Sequence, residues 1–184
     1  MLEAVLRSSN IDHDPEPDII QTKRAIQGSF WYHSGMKKSL YFAGPLFSQA
    51  ELNYNLALTK SLEDLGYEVF LPQRDGVEAS KPPYDSMTRD ERRQATFEID
   101  RDKIIACDVF LFVLDGRVPD EGAALELGIA YTDRLILKKT RTLVGIQTDV
   151  RAAFMGSKLN PMLRVPLDFI AEDETQLVQY LKQA

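Results

Sequence analysis

The chain has 184 residues, 44% of them apolar and 27% charged, with a formal net charge of -6. That balance fits one globular domain with length enough for a sizeable core. The acidic surplus argues against a nucleic-acid backbone or an anionic membrane as the main partner, since both call for basic patches.

A single cysteine, Cys107, and two histidines, His13 and His33, leave no material for a disulfide, a thiolate metal cluster or a histidine triad in the main domain. Cys107 ends a helix pattern just before a strand and is expected in the core. No apolar run approaches the ~20 residues of a membrane span. Met1–Leu6 is too short for a signal-peptide core, so a cytoplasmic location is expected.

Residues 1–36 read as a flexible N-terminal extension, acidic and proline-punctuated around Asn10–Asp18, with a short helix over Ile19–Ile26. The domain proper is expected over 37–184. Leu40–Ala43 is a first strand broken by Gly44-Pro45. Ser48–Leu65 is a helix, with Leu52, Leu56, Thr59, Leu62 and Leu65 at three- and four-residue steps and Gly66 as its stop. Tyr67–Leu71 is a second strand ended by Pro72, and Gln73–Met87 a loop whose length suggests function. Thr88–Ala106 is a helix with Thr88 and Glu91 in capping-box spacing. Val109–Leu114 is a buried third strand, followed by a helix from about Asp120 to Tyr131. Thr142–Ile146 is strand four, Gln147–Val165 a second long loop and Asp168–Ile170 a short fifth strand. Asp173 caps a last helix through Leu181.

Strands that alternate with helices and are apolar throughout form a parallel sheet covered on both faces. Right-handed crossovers give an α/β, flavodoxin-like three-layer sandwich with a five-stranded sheet in the order 2-1-3-4-5. Its switch point lies between strands one and three, so the loops after Ala43 and Leu114 border the pocket.

Glu126 stands between Leu125 and Leu127, one or two turns into the helix after strand three. A carboxylate there is costly unless used or paired, which makes it a candidate nucleophile. A carboxylate that attacks an anomeric carbon forms a glycosyl ester, later released by a second nucleophile. It needs a donor to orient it, and the Tyr41 hydroxyl in strand one can serve. The alternative is a surface glutamate paired with a lysine. Asp100, mid-helix before strand three, is a candidate general acid and base for a leaving nucleobase; the alternative is that Glu98–Lys103 forms a solvated charged face. Asp120 is a candidate partner for a sugar hydroxyl, and also a candidate N-cap. No Gly-x-Gly-x-x-Gly or Walker lysine motif is present, so a dinucleotide or triphosphate cradle is not expected. A receiver domain would want acids where this chain has Ala43-Gly44, although Asp115 could mimic its acid after strand three.

Four segments in this order resemble the nucleoside 2-deoxyribosyltransferases. They are Tyr41-Phe42-Ala43-Gly44-Pro45-Leu46-Phe47, Asp100 eight residues before Asp108, Asp120-Glu121-Gly122-Ala123-Ala124-Leu125-Glu126-Leu127-Gly128, and Asn160-Pro161-Met162-Leu163. The resemblance runs from about Lys38 to the C-terminus, and Pro161 departs from the family pattern. It implies that Glu126 is the nucleophile, Tyr41 its orienting partner and Asp100 the acid that handles the base. Asp120 would lie near the sugar 5'-hydroxyl, with Gly44 in the substrate-binding turn and Phe47 walling the base. Gln73 would contact the base. Asn160 would reach the sugar of a neighbouring subunit's site, making a homo-oligomer with shared active sites, and Met162 would be a further substrate-binding residue. Neither metal nor cofactor is implied.

The implied reaction moves 2-deoxyribose between nucleobases by two displacements with net retention. Its transition state has oxocarbenium character, which an electron-withdrawing 2'-hydroxyl would disfavour. Two other readings stay open: an N-glycosidase acting on 2'-deoxynucleoside 5'-monophosphates, and a catalytically silent nucleoside-binding sensor. Asp120 would repel a 5'-phosphate, which favours the transferase over the first.

Overall fold

The computed structural model describes residues 37–149 and 159–184. Five strands form one all-parallel sheet: β1 (Ser39–Ala43), β2 (Glu68–Phe70), β3 (Val109–Val113), β4 (Thr142–Ile146) and β5 (Phe169–Ala171). Their order is β2-β1-β3-β4-β5, as the strand-helix alternation predicts. The readings for residues 1–36 and for 150–158 lie outside the described residues.

The period of two along each strand sorts the core into two layers. On one face Leu40, Phe42, Leu111 and Val113 pack with Leu58 and Leu62 of α1 (Gln49–Asp64) and Leu177 of α6 (Glu174–Leu181). On the other face Tyr41, Ala43, Phe110 and Phe112 pack with Ile104 of α3 (Arg89–Ala106) and with Ala123, Leu127 and Ala130 of α4 (Glu121–Leu137). Tyr41 therefore points into the layer that carries the two helices bearing Asp100 and Glu126. Cys107 is buried in that same layer.

Caps set the helix starts. Ser48–Glu51 and Thr88–Glu91 both form reciprocal capping boxes, while Asp120 and Asp173 cap α4 and α6 through their side chains. Each such cap is worth about 1 kcal/mol.

The helix after strand three runs to Leu137, beyond the expected end near Tyr131. Nothing between Tyr131 and Leu137 breaks a helix, and the stop is Lys138 in the left-handed conformation at φ 52. The Gln73–Met87 segment is not wholly loop: α2 (Pro72–Asp75) opens on a proline at its first turn, and a 3-10 turn covers Tyr84–Ser86. A short helix, α5 (Pro161–Arg164), interrupts the last long loop.

Arg141, only 5% exposed, binds α3 to α4 at the edge of the sheet away from the site. Its guanidinium donates to the carbonyls of Cys107 (2.8 Å), Ala130 (3.3 Å) and Ile105, and pairs with Asp133 at 3.1 Å.

Candidate active site

The site begins with three aromatic rings laid across the sheet. The strand register pairs Tyr41 with Phe70 on one side and Phe110 on the other. Their rings stack at 5.6 Å and 5.7 Å between centroids, with interplanar angles of 20° and 8°. Tyr41 is fully buried, so its hydroxyl needs a partner. It finds one in Glu126: Tyr41 Oη donates to Oε1 at 2.9 Å. Burial, then the charges of Glu126 and Asp100, hold the phenol far above its usual range. It is a neutral donor at any working pH.

Glu126 belongs to the inward stripe of α4, between the buried Ala123, Leu127 and Ala130 at helical spacing. Burial pushes its carboxyl up to about 7, the hydrogen bond from Tyr41 opposes that rise, and the charges of Asp100 and Asp120 add to it. Asp100 sits four residues before the buried Ile104 and is half-buried, while Glu98, Asp102 and Lys103 are exposed. The charged run is thus partly a solvated face, with Asp100 and Arg101 less exposed than the rest. Burial pushes the Asp100 carboxyl up to about 6. Groups with such raised values, facing one another at a sheet edge, are what general acid-base and nucleophilic chemistry requires.

Asp120 is the N-cap of α4, accepting from Ala123 N at 2.8 Å through Oδ1. A Cβ at Gly122 would lie 3.1 Å from that oxygen, so glycine leaves the carboxylate its place. The cap and the electrostatic role toward Glu126 coexist. Gly44 closes β1 against β3: a Cβ there would lie 2.9 Å from Val113 Cβ.

Four expected residues take no part in the Tyr41–Glu126 hydrogen bond. Both ends of the Gln73 amide are engaged by α1: its Nε2 donates to Leu52 O at 2.9 Å, and its Oε1 accepts from Asn55 Nδ2 at 3.0 Å. Phe47 is 79% exposed. Asn160 is exposed and caps α5, its Oδ1 accepting from Met162 N at 2.9 Å, with Pro161 at the position proline favours. Met162 is exposed as well. Neither is hydrogen-bonded to Tyr41, Asp100 or Glu126 among the described residues.

Three sets of interactions near the sheet's C-terminal edge escape the sequence reading. Asn55, buried on α1, ties Pro45 O (2.9 Å) to Gln73. Asp115 accepts from Thr148 N, Thr148 Oγ1 and Asp149 N at 2.6, 2.5 and 2.9 Å. Glu51 folds back over the start of α1. Only the last has a local signal, the Ser-x-x-Glu spacing of a capping box.

Residues 40–175, which contain Tyr41, Asp100, Asp120 and Glu126, match the family model described as nucleoside 2-deoxyribosyltransferase. The chain belongs to the nucleoside 2-deoxyribosyltransferase family, a family of enzymes. Among solved structures, a conserved protein from Enterococcus faecalis V583 is 25% identical over 80% of this chain and 99% of its own, with a TM-score of 0.62. A 2-deoxyribosyltransferase from the psychrotolerant bacterium Bacillus psychrosaccharolyticus is 23% identical over 76% of this chain and 89% of its own, at a TM-score of 0.58. These likenesses carry the flavodoxin-like fold. No protein of curated function matches the chain. Among the described residues no cluster of three or more His, Cys, Asp or Glu is placed to hold a metal, and no helix is long and apolar enough to cross a membrane.

Proposed function

We propose that this family member transfers 2-deoxyribose between nucleobases through a covalent ester on Glu126. The observation that carries the reading is the 2.9 Å hydrogen bond from Tyr41 to Glu126 Oε1. It fixes one carboxylate oxygen and leaves Oε2 to attack.

In the first displacement Oε2 bonds to the anomeric carbon as the bond to the base nitrogen breaks, and its electron pair stays with the base. Asp100, protonated, gives its proton to that leaving base. In the second, an incoming base attacks the same carbon, Asp100 takes back a proton, and the ester oxygen leaves as the Glu126 carboxylate. Two inversions give net retention. Water in place of the incoming base yields slow hydrolysis. Asp120 accepts from the sugar 5'-hydroxyl through its outer oxygen while Oδ1 keeps the cap.

Asn160 and Met162 act on the site of a neighbouring copy, which makes the working form a homo-oligomer. Their exposure at the start of α5 supports this. Two variants, one lacking Glu126 and one lacking Asn160, should recover activity on mixing if sites are shared. Activity no greater than the sum of the two would count against it.

The nearest rival is hydrolysis of 2'-deoxynucleoside 5'-monophosphates. Comparing turnover of a deoxynucleoside with that of its 5'-monophosphate separates the two: faster cleavage of the monophosphate would reverse the reading. Binding of both without turnover would instead favour a sensor.

A further inference from the structure

Tyr41 has a wall on each side. Phe110 of β3 stacks on one face of its ring and Phe70 of β2 on the other, and all three belong to the layer under α3 and α4. The two walls differ. Phe110 is fully buried, whereas Phe70 is half-buried and lines a groove between β2, the edge strand of the sheet, and Ile99 and Lys103 of α3. The Lys103 ammonium lies over the Phe70 ring at 5.4 Å from its centroid, three residues after Asp100. Phe70 thus touches both the partner of Glu126 and the helix that bears Asp100.

The side on which Phe70 stands matters. α4 packs on β3 and β4, so Glu126 reaches the Tyr41 hydroxyl from the β3 side, and β2 lies on the opposite side of β1. A tyrosine hydroxyl lies on the axis of its ring. Turning χ2 leaves it in place, and only a swing of the whole ring about χ1 moves it. A swing toward β2 would stretch the 2.9 Å bond to Glu126, and hydrogen bonds weaken steeply as their geometry degrades. The Phe70 ring occupies that path, 5.6 Å from the Tyr41 centroid at an interplanar angle of 20°. The other ionisable groups that bear on Glu126, Asp100 of α3 and Asp120 at the start of α4, are acids that oppose its ionisation. The Tyr41 hydroxyl is its hydrogen-bond donor among the described residues.

We propose that Phe70 is a positioning residue for the reaction: its ring holds the Tyr41 hydroxyl on the Glu126 carboxylate. The proposal rests on the reading of Glu126 as the nucleophile. Phe70 acts through Tyr41, so removing its ring has an effect only while the Tyr41 hydroxyl is there.

The test is a double-mutant cycle. Phe70→Leu keeps an apolar side chain beside Tyr41 but loses the stacked ring. It should lower kcat about two- to tenfold, the worth of one aromatic pair, with KM unchanged. The alkaline limb of its pH profile should move to higher pH, because a loosened donor lowers the Glu126 value less. In a Tyr41→Phe background, where the stack remains and the hydroxyl is gone, Phe70→Leu should change neither kcat nor the limb. A merely structural role for Phe70 would give the same loss in both backgrounds, and that additive outcome overturns the proposal. A raised KM with kcat unchanged overturns it too, by making Phe70 a wall of the substrate pocket. Should Phe70→Leu not fold, Phe70→Met takes its place in the same cycle with the same outcomes. A wild type that forms no deoxyribosyl ester on Glu126 overturns the nucleophile reading and this inference with it. An additive cycle in an enzyme that forms the ester overturns this inference alone.

Discussion

Tyr41 and Glu126, 85 residues apart in the chain, meet in a 2.9 Å hydrogen bond beneath the C-terminal edge of the sheet. The bond exists because β1 turns Tyr41 toward the α3–α4 layer and the inward stripe of α4 passes over it. It favours the ionised carboxylate, the form the proposed attack requires. Tyr41→Phe should lower kcat about 10- to 100-fold with a small change in KM, the worth of one hydrogen bond to a charged group. The alkaline limb of its pH profile should move to higher pH, since the group that lowers the Glu126 value is gone and Glu126 already carries the higher of the two raised values in the site. An unshifted limb would disconnect Tyr41 from the nucleophile.

In the proposed mechanism Asp100, pushed up to about 6, and Glu126, pushed up to about 7, react in opposite protonation states. The kcat/KM profile should be bell-shaped with its maximum between these values, the two apparent constants belonging to the pair. Asp100→Asn should remove the alkaline limb and lower kcat by roughly 100- to 10,000-fold. Steady-state kinetics over pH 4–9 checks both; a surviving alkaline limb in Asp100→Asn would assign it elsewhere.

The same burial makes a stability prediction. Glu126 holds its proton more tightly in the folded chain than its ordinary value of 4.5 would allow. Its contribution is therefore fully present below about that pH and lost as pH rises through about 7. Glu126→Gln, which stays neutral throughout, should be more stable than the wild type at pH 8 by ~1–3 kcal/mol. The gap should close at pH 4. Thermal melts at the two pH values check this, and a gap independent of pH would contradict it.

Gly44→Ala should lose stability by about 1–3 kcal/mol through overpacking, since its Cβ would lie 2.9 Å from Val113 Cβ. In a Val113→Gly background, which removes the Cβ that the new methyl meets, Gly44→Ala should cost less stability than it does in the wild type. An equal cost in both backgrounds would place the defect elsewhere.

The sheet order was legible because continuous apolar strands alternate with capped helices. Tyr41, Asp100, Asp120 and Glu126 follow from that topology, since the two helices after β2 and β3 cover the face to which Tyr41 points. Gln73 was not legible in this way. Its amide is held by Leu52 and Asn55, which lie 21 and 18 residues away, and no local pattern announces such a pair. The end of α4 was missed because a lysine, not a glycine or asparagine, takes the left-handed stop. The Ser48–Glu51 cap was readable, having the same spacing as Thr88–Glu91.

The covalent ester on Glu126 is the centre of the proposed chemistry. Incubating the protein with a 2'-deoxynucleoside and no acceptor base, then quenching in acid and mapping peptides by mass spectrometry, should show a deoxyribosyl mass on the peptide containing Glu126, absent in Glu126→Gln. Free base released in a burst with no sugar adduct on that peptide, or an adduct that persists in Glu126→Gln, would contradict it.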